Sequence, residues 1–115
     1  MKLDVQEHDN GIIEIRMEGR LDIAGVGSIE TPFSAYTNRD NGLVLLNMNG
    51  VEFMSSIGVR LLLVSAKALE QRAGKMALLV TQQGVYKVLE MSGVLTLIPT
   101  FDNREDAVDS LLAAA

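Results

Sequence analysis

A strand-like run, Leu43 to Met48, is followed closely by a long apolar helical run that reaches about Arg72. Between them lie Asn49-Gly50 and the adjacent pair Ser55-Ser56. The order predicts a strand, a turn and a helix whose first residues carry hydroxyls. A helix start leaves backbone N–H groups unpaired and carries the positive end of the helix dipole. A serine there is a preferred cap, because its oxygen accepts from one of those N–H groups. Either serine can cap and both need not, so one hydroxyl is left for another task. A phosphate on either would be well received at such a helix end.

The rest of the chain arranges itself around this unit. Leu3 and Val5, then Ile13, Ile15 and Met17, alternate with polar residues across Asp9-Asn10-Gly11, which reads as a hairpin. A two-residue loop would set Val5 against Arg16. A three-residue loop with Gly11 left-handed sets Val5 against Ile15 and Leu3 against Met17, and is preferred. Val26, Ile29, Phe33 and Tyr36 follow at helical spacing. Pro32 implies a helix that starts either near Thr31 or, as preferred, near Gly25 with a bend.

The unbroken run Leu43-Val44-Leu45-Leu46 marks a central strand covered on both faces or shared between layers. The helix from about Ser56 to Arg72 is apolar over more than one stripe, which reads chiefly as core and secondarily as partner surface. Ala73-Gly74 closes it. A strand over Met76–Val80, a helix over Gln82–Met91 stopped by Ser92-Gly93, and a short strand over Leu95–Ile98 come next. Asp102 and Glu105 read as a capping box for a last helix, with Ala107, Val108, Leu111 and Leu112 inward. Ala113 to Ala115 reads as a frayed tail. The expected fold is a single α/β domain over residues 1–115, a mixed sheet of about five strands opened by a hairpin, with about four helices.

Composition removes several functions. At 115 residues with 48% hydrophobic content, one domain can build its core without staples. There is no cysteine, so thiol catalysis and cysteine-bound metal are excluded. His8 is the sole histidine and reads as a solvated neighbour of the turn. The serines have no general base within reach, since Lys67 lies about three helical turns beyond them. There is no Gly-x-Ser-x-Gly elbow or phosphate-cradling glycine loop. An enzyme is therefore not expected, nor a metal or cofactor. The net charge of −5 argues against nucleic acid and anionic membranes as partners. No apolar run approaches the roughly 20 residues that span a bilayer, and Met1-Lys2-Leu3-Asp4 does not read as a signal peptide, so a cytoplasmic domain is expected.

Three segments carry a resemblance. Gly19-Arg20-Leu21-Asp22, Val51-Glu52-Phe53-Met54-Ser55-Ser56-Ile57-Gly58 and Met91-Ser92-Gly93-Val94 resemble, in that order and spacing, the STAS domain of bacterial anti-sigma factor antagonists. By position, Ser56 matches the serine that the family's partner kinase phosphorylates, with Ser55 as the alternative. Asp22 matches the acidic residue near it, and Gly58 the glycine at the helix start. Ser55 stands where the family usually has Asp, Ile57 where it has Ser or Thr, and Arg60 where it has Gly.

The resemblance implies a phosphorylation-controlled binding module. Its partners would be a serine kinase that doubles as an anti-sigma factor and a cognate phosphatase. The unmodified domain would bind the kinase and free a sigma factor; phosphate on Ser56 would undo the complex. The candidate contact set is Asp22, Met54, Ser55, Ser56, Ile57, Gly58 and Arg60. Several members have a plainer role open to them. Asp22 can cap the helix after it, Met54 can belong to the core, and Arg60, one turn after Ser56, can clamp a phosphate or make no fixed contact. The alternative function is that of a STAS regulatory subunit of a transporter, for example an ABC-type lipid-transport complex.

Overall fold

The computed structural model describes residues 1–113. The sheet is built from β1 (Lys2–Glu7), β2 (Ile12–Leu21), β3 (Leu43–Met54), β4 (Lys75–Leu79) and β5 (Thr100–Phe101). The helices are α1 (Ile23–Thr37), α2 (Ser56–Gln71), α3 (Gln83–Met91) and α4 (Arg104–Leu112), with a single 3-10 turn at Val94–Thr96. The strands lie side by side in chain order; β1 is antiparallel to β2 and every later pair is parallel. The hairpin has the expected register, with Val5 opposite Ile15 and Leu3 opposite Met17, and Gly11 takes φ 89°. Leu3, Val5, Ile13, Ile15 and Met17 therefore point to one face, which a one-residue slip would have reversed.

Both faces of the sheet are covered, but unequally. Ile13, Ile15 and Met17 of β2, Val44, Leu46 and Met48 of β3, and Met76 and Leu78 of β4 form one core with α1, α2 and α3. On the other face Ile12, Leu45, Ala77 and Leu79 pack against Ala107 and Leu111 of α4. The continuous apolar run in β3 is explained by this two-sided cover. Each fully buried Leu or Ile contributes about 1.5–3 kcal/mol of transfer free energy.

Several boundaries differ from the sequence reading. Asn49-Gly50 makes no turn; β3 continues through it to Met54. The pairing with β2 shifts register between Arg16 and Glu18 and again between Gly19 and Arg20, so the extra residues are absorbed as bulges. α1 begins at Ile23 and carries Pro32 within it, with Asp22 accepting from the Gly25 N–H at 2.8 Å. The strand expected at Leu95–Ile98 is instead the 3-10 turn, where the Val94 carbonyl accepts from both Leu97 and Ile98. The last strand starts after Pro99, whose carbonyl accepts from Leu78.

The cap of α4 is Asn103 rather than Asp102. Its side chain accepts from the Asp106 N–H at 2.9 Å, one residue later than the expected box. Leu112 is exposed rather than inward. Of the expected frayed tail, residues 114 and 115 lie outside the described residues.

The end of α2 supports a stability experiment. Gly74 N–H bonds the Leu69 carbonyl and Ala73 N–H bonds the Glu70 carbonyl, which is a Schellman ending. Its left-handed position is held by Ala73, at φ 59°, where glycine is usual. A left-handed alanine costs about 1–2 kcal/mol, and glycine returns about half of that as unfolded-chain entropy. Ala73→Gly is therefore expected to raise the unfolding free energy by about 0.5–1 kcal/mol, read by urea denaturation. An unchanged or lower midpoint would contradict this account of the turn.

Candidate functional site

The site begins where two parallel strands end together. Leu21 and Met54 are register partners, so Asp22 and Ser55 leave the sheet side by side. Ser55 is then tied back twice to the same atom. Its N–H donates to the Leu21 carbonyl at 3.0 Å and its hydroxyl donates to that carbonyl at 2.7 Å. Gly58 completes the junction by lack of bulk: a Cβ there would stand 3.0 Å from both the Leu21 carbonyl oxygen and the Leu21 Cβ. The first turn of α2 is thus pressed onto the end of β2.

This arrangement gives the serines different tasks. Ser55 has the extended backbone of an N-cap, but its hydroxyl is turned to Leu21 and accepts nothing from the helix. The expectation that a serine side chain caps α2 is therefore corrected. The Leu21 carbonyl, which already accepts the Ser55 N–H, takes that hydroxyl as a second donor. Ser56 is the first helical residue and is exposed. It sits at a helix start that no side chain caps, where the N–H groups and the helix dipole favour an anion.

The other candidates divide by burial. Ile57 and Arg60 are exposed on α2, and Arg60 has no acidic partner among the described residues. Met54 and Gly58 are buried. They shape the junction from below, Met54 as part of the core that the sequence left open for it. Asp22 is half-buried and caps α1; the Gly25 N–H, with help from Arg20, holds its carboxyl below the ordinary 3.8.

Two neighbours were not read from the sequence. Phe53 is partly exposed at the end of β3, and the Arg20 guanidinium lies over its ring at 4.3 Å. Arg20 also approaches Asp22, Nε to Oδ2 3.5 Å. The signal was the pairing of Arg20 with Phe53 across the β2–β3 ladder, which the bulges displace from simple counting.

A second polar cluster lies under the N-terminal end of α4, away from the serines. Glu14 of β2 is fully buried. Arg104 grips it with two bonds of 2.6 and 2.7 Å, Asn47 donates at 3.0 Å, His8 Nε2 lies at 2.9 Å and Arg16 Nε at 3.2 Å. His8 is therefore a half-buried partner of a carboxylate, not a solvated neighbour of the turn. Burial pushes the Glu14 carboxyl up; the bonds from Arg104, Asn47 and His8 outweigh it and hold it at about 2. No group of His, Asp or Glu with metal-binding geometry occurs among the described residues, and no helix there is long and apolar enough to cross a membrane.

A five-stranded mixed sheet with a hydroxyl presented at the helix after β3 is the arrangement of the STAS domain, and the chain belongs to that family, whose profile matches residues 2–107. Among named relatives, the anti-sigma F factor antagonist of Paenibacillus polymyxa is 28% identical, the match covering 96% of this chain and 97% of that protein. The structure of the anti-sigma factor antagonist SpoIIAA in its unphosphorylated form is similar at a TM-score of 0.76 and 25% identity, over 99% of each chain. The phosphorylated form of SpoIIAA, described as a Bacillus cell fate determinant, is similar at a TM-score of 0.67 and 25% identity, over 95% of this chain and 98% of that one.

Proposed function

We propose that this domain is an anti-sigma factor antagonist that binds a serine-kinase anti-sigma factor, releases a sigma factor, and is switched off by phosphorylation of Ser56. A cognate phosphatase restores it. The observation that carries the reading is the division of labour between the serines: Ser55 is spent on the Leu21 carbonyl, while Ser56 is exposed on the first turn of an uncapped helix. The named relatives are anti-sigma factor antagonists, and one of them was solved in a phosphorylated form, which favours this switch over a transporter subunit.

The chemistry is that of one added charge cluster. Phosphate brings about −1.5 to −2 charges and three acceptor oxygens. The helix N-terminus offers donors to it, and Arg60, four residues on, lies on the same face of α2. The domain therefore accepts the modification in place, and the partner surface packed against Ser56 does not. Incubation with the cognate kinase and ATP, followed by peptide mass spectrometry, is expected to place phosphate on Ser56. Phosphate on Ser55 alone would overturn the assignment.

A further inference from the structure

The motif Met91-Ser92-Gly93-Val94 has no task in the site as described, yet the fold brings it to Ser56. The last turn of α3 and the first turns of α2 enclose a trough lined by Ser56, Val59, Val88, Met91 and Ser92. Val94 is buried and Gly93, at φ 81°, ends α3 abruptly, so Met91 is held at the trough's edge. Met91 is 77% exposed, more than any other large apolar side chain of α2 or α3. A single exposed methionine needs no explanation. One that walls an apolar trough shared with the proposed phosphoacceptor does.

We propose that this trough seats an apolar side chain of the same kinase that modifies Ser56, with Met91 as its principal contact. The inference rests on the partner-switch reading above. The occupant follows from reach. A protein that brings its active site to the Ser56 hydroxyl covers about 800 Å² of this domain, a disc of roughly 16 Å radius. A trough of which Ser56 is itself a wall lies inside that disc.

The chemistry of the occupant follows from the lining. Val59, Val88 and Met91 are apolar, no lining residue is charged, and the Ser92 hydroxyl is already spent on the Val88 carbonyl at 2.7 Å. An aliphatic or aromatic anchor fits such a surface, and apolar anchors set in pockets carry much of the energy of protein interfaces. Methionine adapts its shape to such an occupant. Regulation is built in. Phosphate on Ser56 stands on the trough's rim, where seating an apolar group would strip water from a dianion.

The test is affinity for the purified cognate kinase, by calorimetry, for wild type, Met91→Glu, Met91→Leu and Leu97→Glu. Leu97 is 68% exposed beside Ala66 and Glu70. Leu97 also lines a separate pocket with Leu63 and Lys67, so it serves as a control exposed on the same side of the domain but outside the trough. Met91→Glu is expected to weaken binding about tenfold or more, Met91→Leu to stay within about threefold, and Leu97→Glu to match wild type. All four should melt alike, since neither position is buried. Met91→Glu binding as wild type does would overturn the trough and leave the switch standing. So would an equal loss in Leu97→Glu. A wild-type domain that neither binds the kinase nor is phosphorylated by it would remove the switch, and the trough with it.

Discussion

Replacing Glu14 by Gln is expected to cost the domain about 3 kcal/mol at neutral pH and to lower its melting temperature by roughly 10 °C. The carboxylate is fully buried, and its stability rests on Arg104, Asn47, His8 and Arg16 together. An amide keeps the shape but removes the charge. It also sets an NH2 group against donors, leaving polar groups at the sheet surface imperfectly paired. Glu14→Gln tests the charge more cleanly than Glu14→Ala, which adds a cavity.

The same group makes a pH prediction. Its carboxyl lies at about 2 when folded against an ordinary 4.5. A lowered folded value means stability that is fully present above pH 4.5 and lost as pH falls toward 2. The loss amounts to about 3 kcal/mol over that window. Urea midpoints measured from pH 7 to pH 2.5 should fall more steeply for wild type than for Glu14→Gln. Equal slopes, with equal midpoints at pH 7, would show that the carboxylate contributes nothing.

Glu14 also marks where sequence reading stops. The alternation of Ile13, Ile15 and Met17 correctly assigned one face of β2, and by the same rule sent Glu14 to the other. A polar residue on the second face of a strand reads as solvated unless that face is covered. The cover, α4, arrives 90 residues later, with Arg104 as its first residue. The apolar clue was present in Ile12, two residues before Glu14 on the same face, and in the unbroken run of β3. The hairpin register and the positions of the helices were legible because each rests on a local period. The two bulges of β3 were not, because they depend on its pairing with β2; the 3-10 turn and the Asn103 cap are local, but neighbouring residues offered a strand and a cap of equal local merit.

The two serines illustrate the same limit at the site. Their place at the start of α2 followed from the chain alone. Which hydroxyl is free did not, since it depends on the Leu21 carbonyl, 34 residues away in sequence. Sequence reasoning offered capping as the plain task for a serine. The structure replaces it with a tie between α2 and β2 that uses Ser55 and spares Ser56.

That distinction yields the second large effect. Ser56→Asp is expected to weaken binding to the cognate kinase about a hundredfold, a loss of about 2.7 kcal/mol, while leaving the fold intact. At the first position of α2, an aspartate meets free N–H groups and the positive helix end, worth about 0.3–1 kcal/mol in its favour. Its melting temperature should therefore equal or slightly exceed that of wild type. Ser55→Ala is the informative contrast. It removes the hydroxyl donor to Leu21 and should cost about 1 kcal/mol of stability, with kinase affinity retained within a few-fold. The two variants thus exchange their effects: one loses the partner and keeps stability, the other loses stability and keeps the partner. A Ser56→Asp domain that binds as wild type does would defeat the switch. The helix start would then be tolerant of charge on both sides of the contact, and phosphate there would have nothing to break.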